Sequence, residues 1–394
     1  MLRNIIIIND FNYVQGGASK IAIDTARILN DTDLNIYFFS AVNKEEENIK
    51  GIKYVSSNQN EALKEKNKFK GLVNGIYNFK AKKELKKLLR QLNNKETIIH
   101  VHGWTKALSS SVFDIAFKMN FRIVLTLHDY FTACPNGGYF NYKKNEICYY
   151  KPLSWKCIKC NCDSRNYFFK LYRIIRQFVQ NKIVKLNDKL ENVISISEFS
   201  EKILKNTLGK NTKITRIYNP IELNNEEFIE SSNNEYFLYV GRIDKEKGVD
   251  LFCQAITELN KSGIVVGDGN EREKLQKEYP HIEFTGWKNK IEVKKYMKNA
   301  RALIFPSRWY ETAGLTVLEA QSIGLPCIVS KNTAASEFIE YKNNGFLFEN
   351  LEDLKDKIKQ IDNIKMETNN IEKFNYQNYK ENIIELYNKI LLGE

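Results

Sequence analysis

The chain has 394 residues, more than one ordinary hydrophobic core holds, which predicts two domains of roughly 150–200 residues each. Its net charge of +12 predicts a basic surface suited to anionic partners such as phosphates, acidic lipids or nucleic acid. No run reaches about 18 apolar residues, and the isoleucine run near the amino end is too short for a signal peptide. We therefore expect a cytoplasmic protein, with peripheral binding to the cytoplasmic face of the inner membrane as an alternative.

Short apolar, β-branched runs alternate with helical patterns along the whole chain. The predicted strands are Ile5–Ile8, Asn35–Phe39, Thr97–Val101, Arg122–Leu127, Asn192–Ile196, Tyr236–Val240, Ser262–Val266, Ala302–Phe305 and Cys327–Ser330. Continuous apolar strands separated by helices are typical of buried parallel sheets with crossover helices. The predicted fold class is α/β, with two doubly wound, Rossmann-like domains that bind ligands at the carboxyl ends of their strands.

A polar, acidic, proline-containing segment over residues 220–234 is the best candidate for a linker between the two domains. It divides an amino-terminal domain, residues 1–219, from a carboxy-terminal domain, residues 235–372. The periodic stretch that follows, residues 373–394, predicts an amphipathic helix that crosses back to the amino-terminal domain.

Two glycines, Gly16 and Gly17, separate the first strand from a helix predicted to begin near Ala18. Glycine lets backbone N–H groups come close to a phosphate, although a lone glycine pair is more often an ordinary turn. Further on, Asp31 and Asp33 form an Asp-x-Asp sequence like the metal-binding motif of another enzyme class. They lie between a helix and a strand, away from the expected ligand edge, so we interpret them as a polar turn.

Three of the four histidines follow or lie in predicted strands of the first half. His128 and Asp129 directly follow a strand, where side chains reach the ligand edge of a parallel sheet. His100 and His102 are two residues apart on one strand and share a face, and we interpret both as structural.

An insert over residues 134–162 contains five of the seven cysteines. Cys157 and Cys160 have the two-residue spacing of zinc sites, and Cys162 competes for the fourth position. A structural zinc, reduced thiols and disulfides all remain open as interpretations. The basic and aromatic stretch Arg165–Leu190 that follows is either an amphipathic membrane-surface helix or a core helix with a solvated basic face.

The segment Phe305–Val329 is the most informative part of the second half. It predicts a strand end, a loop that carries Glu311, and a helix that begins near Gly314, contains Glu319 and stops at Gly324. The first helical N–H groups form a positive end suited to a diphosphate. These groups belong to Gly314, Leu315 and Thr316.

Several motifs occur together in a characteristic order: the glycine pair, His-Asp after a strand, VGRIDKEKG, VGDGNEREKL, FTGW and the paired glutamates. In this order they resemble glycosyltransferase family 4, and the resemblance covers nearly the whole chain. It implies the GT-B fold, a nucleotide-diphosphate-sugar donor, and transfer with retention of configuration.

The resemblance also implies roles for particular side chains. Arg242 and Lys247 are expected to hold the donor diphosphate, because a fork of donors and a point charge suit two phosphates. Glu311 is expected to contact hydroxyls of the transferred sugar and Glu319 the ribose hydroxyls, since carboxylates accept hydrogen bonds from diols. His128 is expected beside the reacting sugar, where it orients substrate and is not the sole base.

Glycine positions complete the implied donor site. Gly16 and Gly17 are expected to face the diphosphate from across the cleft, Gly267 and Gly269 to pass close to the nucleotide, and Gly286 and Trp287 to border the base. For Trp287, a core position is the alternative.

Some members of the family also carry cysteines at positions like Cys134, Cys148, Cys157 and Cys162, which favours these four as structural zinc ligands, with Cys160 as the alternative. No cofactor is implied for catalysis. The expected partners are a nucleotide-sugar donor, a saccharide or lipid-linked acceptor of surface-polysaccharide synthesis, and an anionic membrane, but not nucleic acid. The rival hypotheses are a basic nucleic-acid-binding protein and an inactive scaffold of the same fold.

Overall fold

The computed structural model describes residues 1–223, 228–364, 366 and 371–393, in which strands and helices alternate. The strands are β1 (Asn4–Phe11), β2 (Asn35–Val42), β3 (Lys53–Ser56), β4 (Thr97–Val101), β5 (Arg122–Leu127), β6 (Phe140–Asn141), β7 (Glu146–Ile147), β8 (Asn192–Ser195), β9 (Lys213–Arg216), β10 (Tyr236–Val240), β11 (Ser262–Val266), β12 (Glu283–Gly286), β13 (Ala300–Phe305), β14 (Cys327–Ser330) and β15 (Gly345–Phe348). The helices are α1 (Gly17–Leu29), α2 (Lys68–Ile76), α3 (Phe79–Leu89), α4 (Ser111–Lys118), α5 (Trp155–Lys159), α6 (Tyr167–Phe178), α7 (Leu186–Lys189), α8 (Glu198–Leu204), α9 (Val249–Glu258), α10 (Arg272–Glu278), α11 (Lys290–Lys298), α12 (Leu315–Gln321), α13 (Leu351–Lys359) and α14 (Tyr376–Leu392).

Unit 1, the first of two compact units, comprises Met1–Gly138, Tyr149–Pro220 and Tyr376–Glu394. Its seven-stranded parallel sheet has the order β3-β2-β1-β4-β5-β8-β9. The central strands β1, β4 and β5 are almost wholly buried because their apolar side chains meet helices on both faces. Helix α14 belongs to this unit, where Tyr379 hydrogen-bonds Thr25 and Tyr387 hydrogen-bonds His100.

Unit 2 comprises Tyr139–Cys148 and Ile221–Asn375. Its six-stranded parallel sheet has the order β12-β11-β10-β13-β14-β15, and β6 and β7 form a small antiparallel pair. Buried apolar clusters lie on both faces of the large sheet, one around Phe252 and Ile304 and the other around Leu303 and Val317. In each unit the strand order reverses beside the first strand, which places the ligand edge at the carboxyl ends of the central strands.

The predicted fold class is confirmed, and each of the nine predicted strands is present. The unit boundary lies between Pro220 and Ile221, at the start of the segment interpreted as a linker. Of that segment, residues 224–227 lie outside the described residues, as do 365 and 367–370 of the predicted carboxy-terminal domain and 394 of the last helix. The cysteine insert, predicted to belong to one domain, is divided, since Tyr139–Cys148 groups with unit 2.

None of the helices formed by the described residues combines the length and the apolar character needed to cross a bilayer.

Candidate active site

The loop Gly241–Gly248 follows β10 at the carboxyl end of the central strand of unit 2. The side chain of Arg242 in this loop is mostly exposed and forms ion pairs with Asp244 and Glu246 of the same loop. Its distance to Oε1 of Glu246 is 3.3 Å. Gly248 adopts a left-handed φ of 68° and starts α9, and a Cβ there would stand 2.1 Å from the carbonyl oxygen of Pro306. The loop therefore packs tightly on the end of β13 while presenting a guanidinium to solvent.

Lys247 and Glu311, 64 residues apart in the chain, form an ion pair in unit 2. The side chains are 15% and 14% exposed, and Ser307 donates a second hydrogen bond to the same carboxylate oxygen at 3.2 Å. Burial opposes ionisation of Glu311, but the adjacent Lys247 ammonium outweighs it and holds the pKa of the carboxyl below its usual value. The ammonium also lies 5.0 Å from the ring centroid of Trp309. The structure thus brings together the cation predicted for phosphate and the carboxylate predicted for sugar.

The glycines after β11 lie against the Gly241–Gly248 loop. Gly267 has a φ of 143°, and a Cβ there would stand 1.9 Å from the carbonyl oxygen of Gly241. A Cβ on Gly269 would stand 2.4 Å from the carbonyl oxygen of Ile243. Close backbone packing within unit 2 is therefore enough to require glycine at both positions. The sequence alone did not indicate this structural reason.

Helix α12 begins after Gly314 and contains Glu319, and Glu311 precedes it, as predicted. It ends at Gln321, three residues before the predicted stop at Gly324. Because the helix has only 7 residues, its N–H groups at Leu315 and Thr316 form a weaker positive end than a long helix would.

Trp287 is 76% exposed, so its alternative interpretation as a core residue is wrong. It follows Gly286, which has a left-handed φ of 75° at the end of β12. A large aromatic side chain left in solvent at the carboxyl end of a parallel strand is available to stack on a ligand.

The loop between β1 and α1 in unit 1 ends at Gly16, and Gly17 is the first residue of α1; both glycines are exposed. A Cβ on either glycine would meet no described atom within 4 Å, in contrast to the crowded glycines of unit 2. Packing therefore does not explain the pair. Gly16 has a φ of 155°, which residues with side chains rarely adopt, and the open space around both glycines lets a ligand come close to the backbone. Asp31 and Asp33 lie in the turn before β2, at the opposite edge of the sheet.

The histidines of unit 1 form a row across β4 and β5. Nδ1 of His102 lies 2.9 Å from Nε2 of His128. The ring of His100 packs on that of His102 at a centroid distance of 4.1 Å, which confirms their shared face. Burial lowers the pKa of His128 and of His100 to about 3, so these rings are neutral at neutral pH.

Two carboxylates, Asp10 and Asp129, lie beside the row. The sequence analysis missed Asp10, and it gave Asp129 no role. Asp10, in β1, accepts backbone hydrogen bonds from Lys106, Ala107 and Leu108 at 2.8 to 2.9 Å and so fixes the loop after β4. Burial raises the pKa of Asp129 to about 6. An acidic residue at the end of an isoleucine strand was the available signal for Asp10.

The cysteines are thiols, and all seven lie in the described part of the chain, so the disulfide interpretation is not supported. Lys170, which is 1% exposed, donates to Sγ of Cys157 at 3.5 Å, and Asn136 donates to Sγ of Cys162 at 3.2 Å. Among the described residues, no group of three or more His, Cys, Asp and Glu side chains is arranged to hold a metal ion. The zinc assignment stays a prediction.

Comparison with known protein families decides the class of the chain. The model described as Glycosyltransferase Family 4 matches residues 16–225, more than half of the chain, and the model described as Glycosyl transferases group 1 matches residues 221–388. The chain belongs to glycosyltransferase family 4.

Relatives of this family 4 glycosyltransferase include an uncharacterized 41.2 kDa protein in the cps region of Klebsiella pneumoniae. It is 27% identical over 278 residues, which cover 66% of this chain and 75% of the relative. The UDP-Gal:alpha-D-GlcNAc-diphosphoundecaprenol alpha-1,3-galactosyltransferase of Escherichia coli is 30% identical over 131 residues, 30% of this chain and 33% of the relative. Among solved structures, sucrose-phosphate synthase from Thermosynechococcus elongatus has a TM-score of 0.70 at 15% identity, with 100% of both chains covered. The enzyme therefore has the GT-B fold.

Proposed function

We propose that this glycosyltransferase moves a hexosyl or deoxyhexosyl group, with retention of configuration, from a nucleotide-diphosphate donor to a saccharide or lipid-linked saccharide acceptor. The observation that carries the proposal is the contact between Lys247 and Glu311. One group suits a phosphate and the other a sugar diol, and a diphosphate sugar has these two parts covalently joined. When such a ligand binds, the contacts of Lys247 with phosphate and of Glu311 with sugar hydroxyls would replace part of the ion pair.

Charge at the departing diphosphate is the part of the reaction that this site would stabilise. Arg242 is mostly exposed, and its ion pairs among the described residues are with Asp244 and Glu246 of its own loop, so its guanidinium can turn to a phosphate. Together with Lys247 it would bind the oxygen on which negative charge grows as the sugar leaves, which lowers the barrier more than uniform binding does. The acceptor hydroxyl would attack from the side of the leaving phosphate, whose oxygen takes the proton.

The remaining predicted residues are proposed to complete the donor and acceptor contacts. Gly16 and Gly17 would donate backbone hydrogen bonds to phosphate, which their open surroundings support. Glu319 would bind the ribose, and Gly286 with exposed Trp287 would border the base. His128 would contact the transferred sugar. No metal step is proposed.

The names of the relatives support the substrate class. The Escherichia coli relative is named for a UDP-linked donor and a diphosphoundecaprenol-linked acceptor, and the Klebsiella pneumoniae relative lies in a cps region. We therefore propose that the acceptor of this enzyme is an intermediate of surface-polysaccharide synthesis.

A panel of nucleotide sugars tests the proposed donor class. We expect one nucleotide-diphosphate sugar to raise the thermal midpoint and to be hydrolysed slowly, because a ligand that binds only the folded state stabilises it. Arg242→Ala should abolish the protection by that compound. If single-stranded nucleic acid protects the protein and no nucleotide sugar does, the nucleic-acid hypothesis replaces this one. Protection without any turnover on an acceptor panel would support the inactive scaffold.

Helix α6 supports a peripheral membrane contact. Its apolar stripe, defined by Phe168, Leu171, Ile175 and Phe178, is exposed to solvent. Residues on the opposite, buried face are polar and hydrogen-bond the loop after β5: Arg176 to Pro135, Gln177 to Thr132 and, beyond the helix, Gln180 to Phe131. The interpretation as a core helix with a solvated basic face is therefore wrong.

Anionic lipid is the proposed occupant of the apolar stripe. The segment Arg165–Leu190 contains seven basic residues and one acidic residue, and its exposed cations include Lys182, Lys185 and Lys189. An apolar stripe flanked by cations suits the headgroup boundary of an acidic membrane, where each cation contributes about 1 kcal/mol.

Replacing the carboxyl-terminal half of the stripe tests this contact. Ile175→Glu with Phe178→Glu should lower co-flotation with phosphatidylcholine–phosphatidylglycerol vesicles at least about tenfold, because two apolar side chains become charged. The matched control is Ile291→Glu, which places the same charge on an exposed apolar residue of unit 2 and should leave flotation unchanged. Equal flotation of the double variant and the parent would remove the proposal.

A structural zinc is proposed for the cysteine cluster. The buried ammonium of Lys170 needs compensating negative charge, and the thiols of Cys157 and Cys162 are its neighbours. Zinc bound by four thiolates carries a net negative charge, so a buried lysine that donates to the sulfurs fits the donor set. Cys134 and Cys148 are the other proposed ligands, with Cys160 as the alternative ligand.

Metal analysis of protein purified under reducing conditions without chelator should find about one zinc per chain. Cys157→Ser should remove it, since the loss of a thiolate weakens a closed tetrahedral site. Cys253→Ser, a buried cysteine in α9 outside the cluster, is the control and should retain the metal. Metal-free parent protein that is fully folded would exclude the site.

A further inference from the structure

His102 and His128 are joined because their strands are neighbours. Each residue directly follows its strand, and the register of β4 and β5 pairs Val101 with Leu125. His102 is 1% exposed, whereas His128 is partly exposed in front of it. The contact of 2.9 Å joins Nδ1 of His102, the inner ring, to Nε2 of His128, the outer ring. Because His102 is buried, it would influence a bound substrate through the ring of His128.

The two rings together hold two N–H protons when both are neutral. Burial and the neighbouring imidazoles lower the pKa of His102 well below its ordinary value, and burial does the same for His128. A hydrogen bond between neutral imidazoles needs one protonated and one bare nitrogen, which permits two arrangements. Either Nδ1 of His102 donates, or Nε2 of His128 donates.

The surroundings of the inner ring distinguish the two arrangements. Nε2 of His102 is buried and has no hydrogen-bond partner among the described residues. His100, which packs on this ring, uses its own nitrogens on Tyr387 at 2.6 Å and Thr126 at 2.7 Å. If His128 donated, the proton of His102 would sit on that isolated nitrogen, and buried N–H groups without acceptors are rarer than incompletely satisfied acceptors.

We propose that His102 is a positioning residue whose Nδ1–H donates to Nε2 of His128 and so fixes His128 as the Nδ1–H tautomer. The inference rests on the proposed function for the placement of His128 beside the reacting sugar. In this tautomer His128 acts through its Nδ1–H as a donor and offers no basic nitrogen to the acceptor. The acceptor O–H proton therefore passes to the phosphate oxygen as the bond from that oxygen to the anomeric carbon breaks and the new glycosidic bond forms.

Nitrogen-15 NMR of the full chain reads the tautomer directly. The chain has four histidines, and long-range proton–nitrogen correlations distinguish Nδ1–H from Nε2–H imidazoles. His281, in unit 2, is assigned with His281→Asn. We expect the Nδ1–H pattern for His128 in the parent protein, and an Nε2–H pattern or a mixture in His102→Phe, which keeps ring volume without a donor. An Nε2–H pattern in the parent, or an unchanged pattern in His102→Phe, overturns the inference.

Kinetics supply the second readout. His102→Phe should lower kcat at least about tenfold, with the affinity for the free nucleotide diphosphate unchanged, because neither His102 nor His128 is among the proposed nucleotide contacts. His102→Gln, whose amide N–H can replace the Nδ1 donor, should restore the tautomer and much of the rate, and it guards against misfolding of the first variant. Full activity in His102→Phe contradicts the inference. Full activity in Arg242→Ala contradicts the proposed function instead and leaves the NMR result intact.

Discussion

Arg242→Ala should lower the rate of sugar transfer by roughly 10²-fold or more, because it would remove the charged donor proposed at the oxygen on which charge develops. The side chain is 60% exposed, and its ion pairs within the described part of the chain are with Asp244 and Glu246 of its own loop, so its loss should cost little stability. Steady-state kinetics and a thermal melt measure the two quantities separately. Lys245→Ala is the matched control, since Lys245 is an exposed cation of the same loop that has no proposed role, and its activity should stay within about threefold.

Lys247→Ala should produce a similar loss of activity together with a loss of stability. Its partner Glu311 would be left as a mostly buried carboxylate without its ion-pair partner, and removing one member of a fully buried pair costs roughly 3–5 kcal/mol. Lys247→Gln keeps a donor for Glu311 without the charge and should recover stability but not transfer. A loss of activity below about threefold in both Arg242→Ala and Lys247→Gln, with folding intact, would place the diphosphate elsewhere.

The central strands were predictable because their burial requires continuous β-branched runs, such as the four isoleucines of β1. The strands that the sequence analysis missed are short and lie mostly at or next to sheet edges, where side chains are more exposed to solvent. Lys53–Ser56 is a four-residue edge strand with no fully buried side chain, and Lys213–Arg216 is similar. Their sequences resemble loops, because these residues become strands by hydrogen-bonded pairing with an inner strand. They do not have the hydrophobic pattern of a buried strand.

The sequence named the residues of the candidate site one by one, but it could not show which of them lie in contact. Motif order indicated Lys247 and Glu311, yet their ion pair joins loops after β10 and β13, which are neighbours only through the strand order of the sheet. The pairing of His102 with His128 depends likewise on the adjacency of β4 and β5. Sequence placed His102 on the correct face but could not show what lies beside it.

Glu311→Gln and Glu319→Ala should have opposite kinetic signatures. Glu311→Gln should lower kcat while affinity for the free nucleotide diphosphate stays nearly unchanged, because a contact to the transferred sugar strengthens as the sugar becomes oxocarbenium-like. The amide oxygen can still accept from Lys247, so the phosphate cation should stay in place. Glu319→Ala should weaken the same nucleotide by roughly 1.5–3 kcal/mol, as expected for losing hydrogen bonds to a charged acceptor.

Calorimetry with the nucleotide diphosphate and kinetics with the complete donor separate the two glutamates. Glu352→Gln provides a control, since this exposed carboxylate of α13 is paired only at the surface and should change neither quantity. The reverse pattern, a weaker nucleotide in Glu311→Gln and a slower reaction in Glu319→Ala, would mean that the two carboxylates exchange roles. Unchanged behaviour of both variants would show that the donor binds away from α12, because two carboxylates that touch its sugar and its ribose cannot both be removed without consequence.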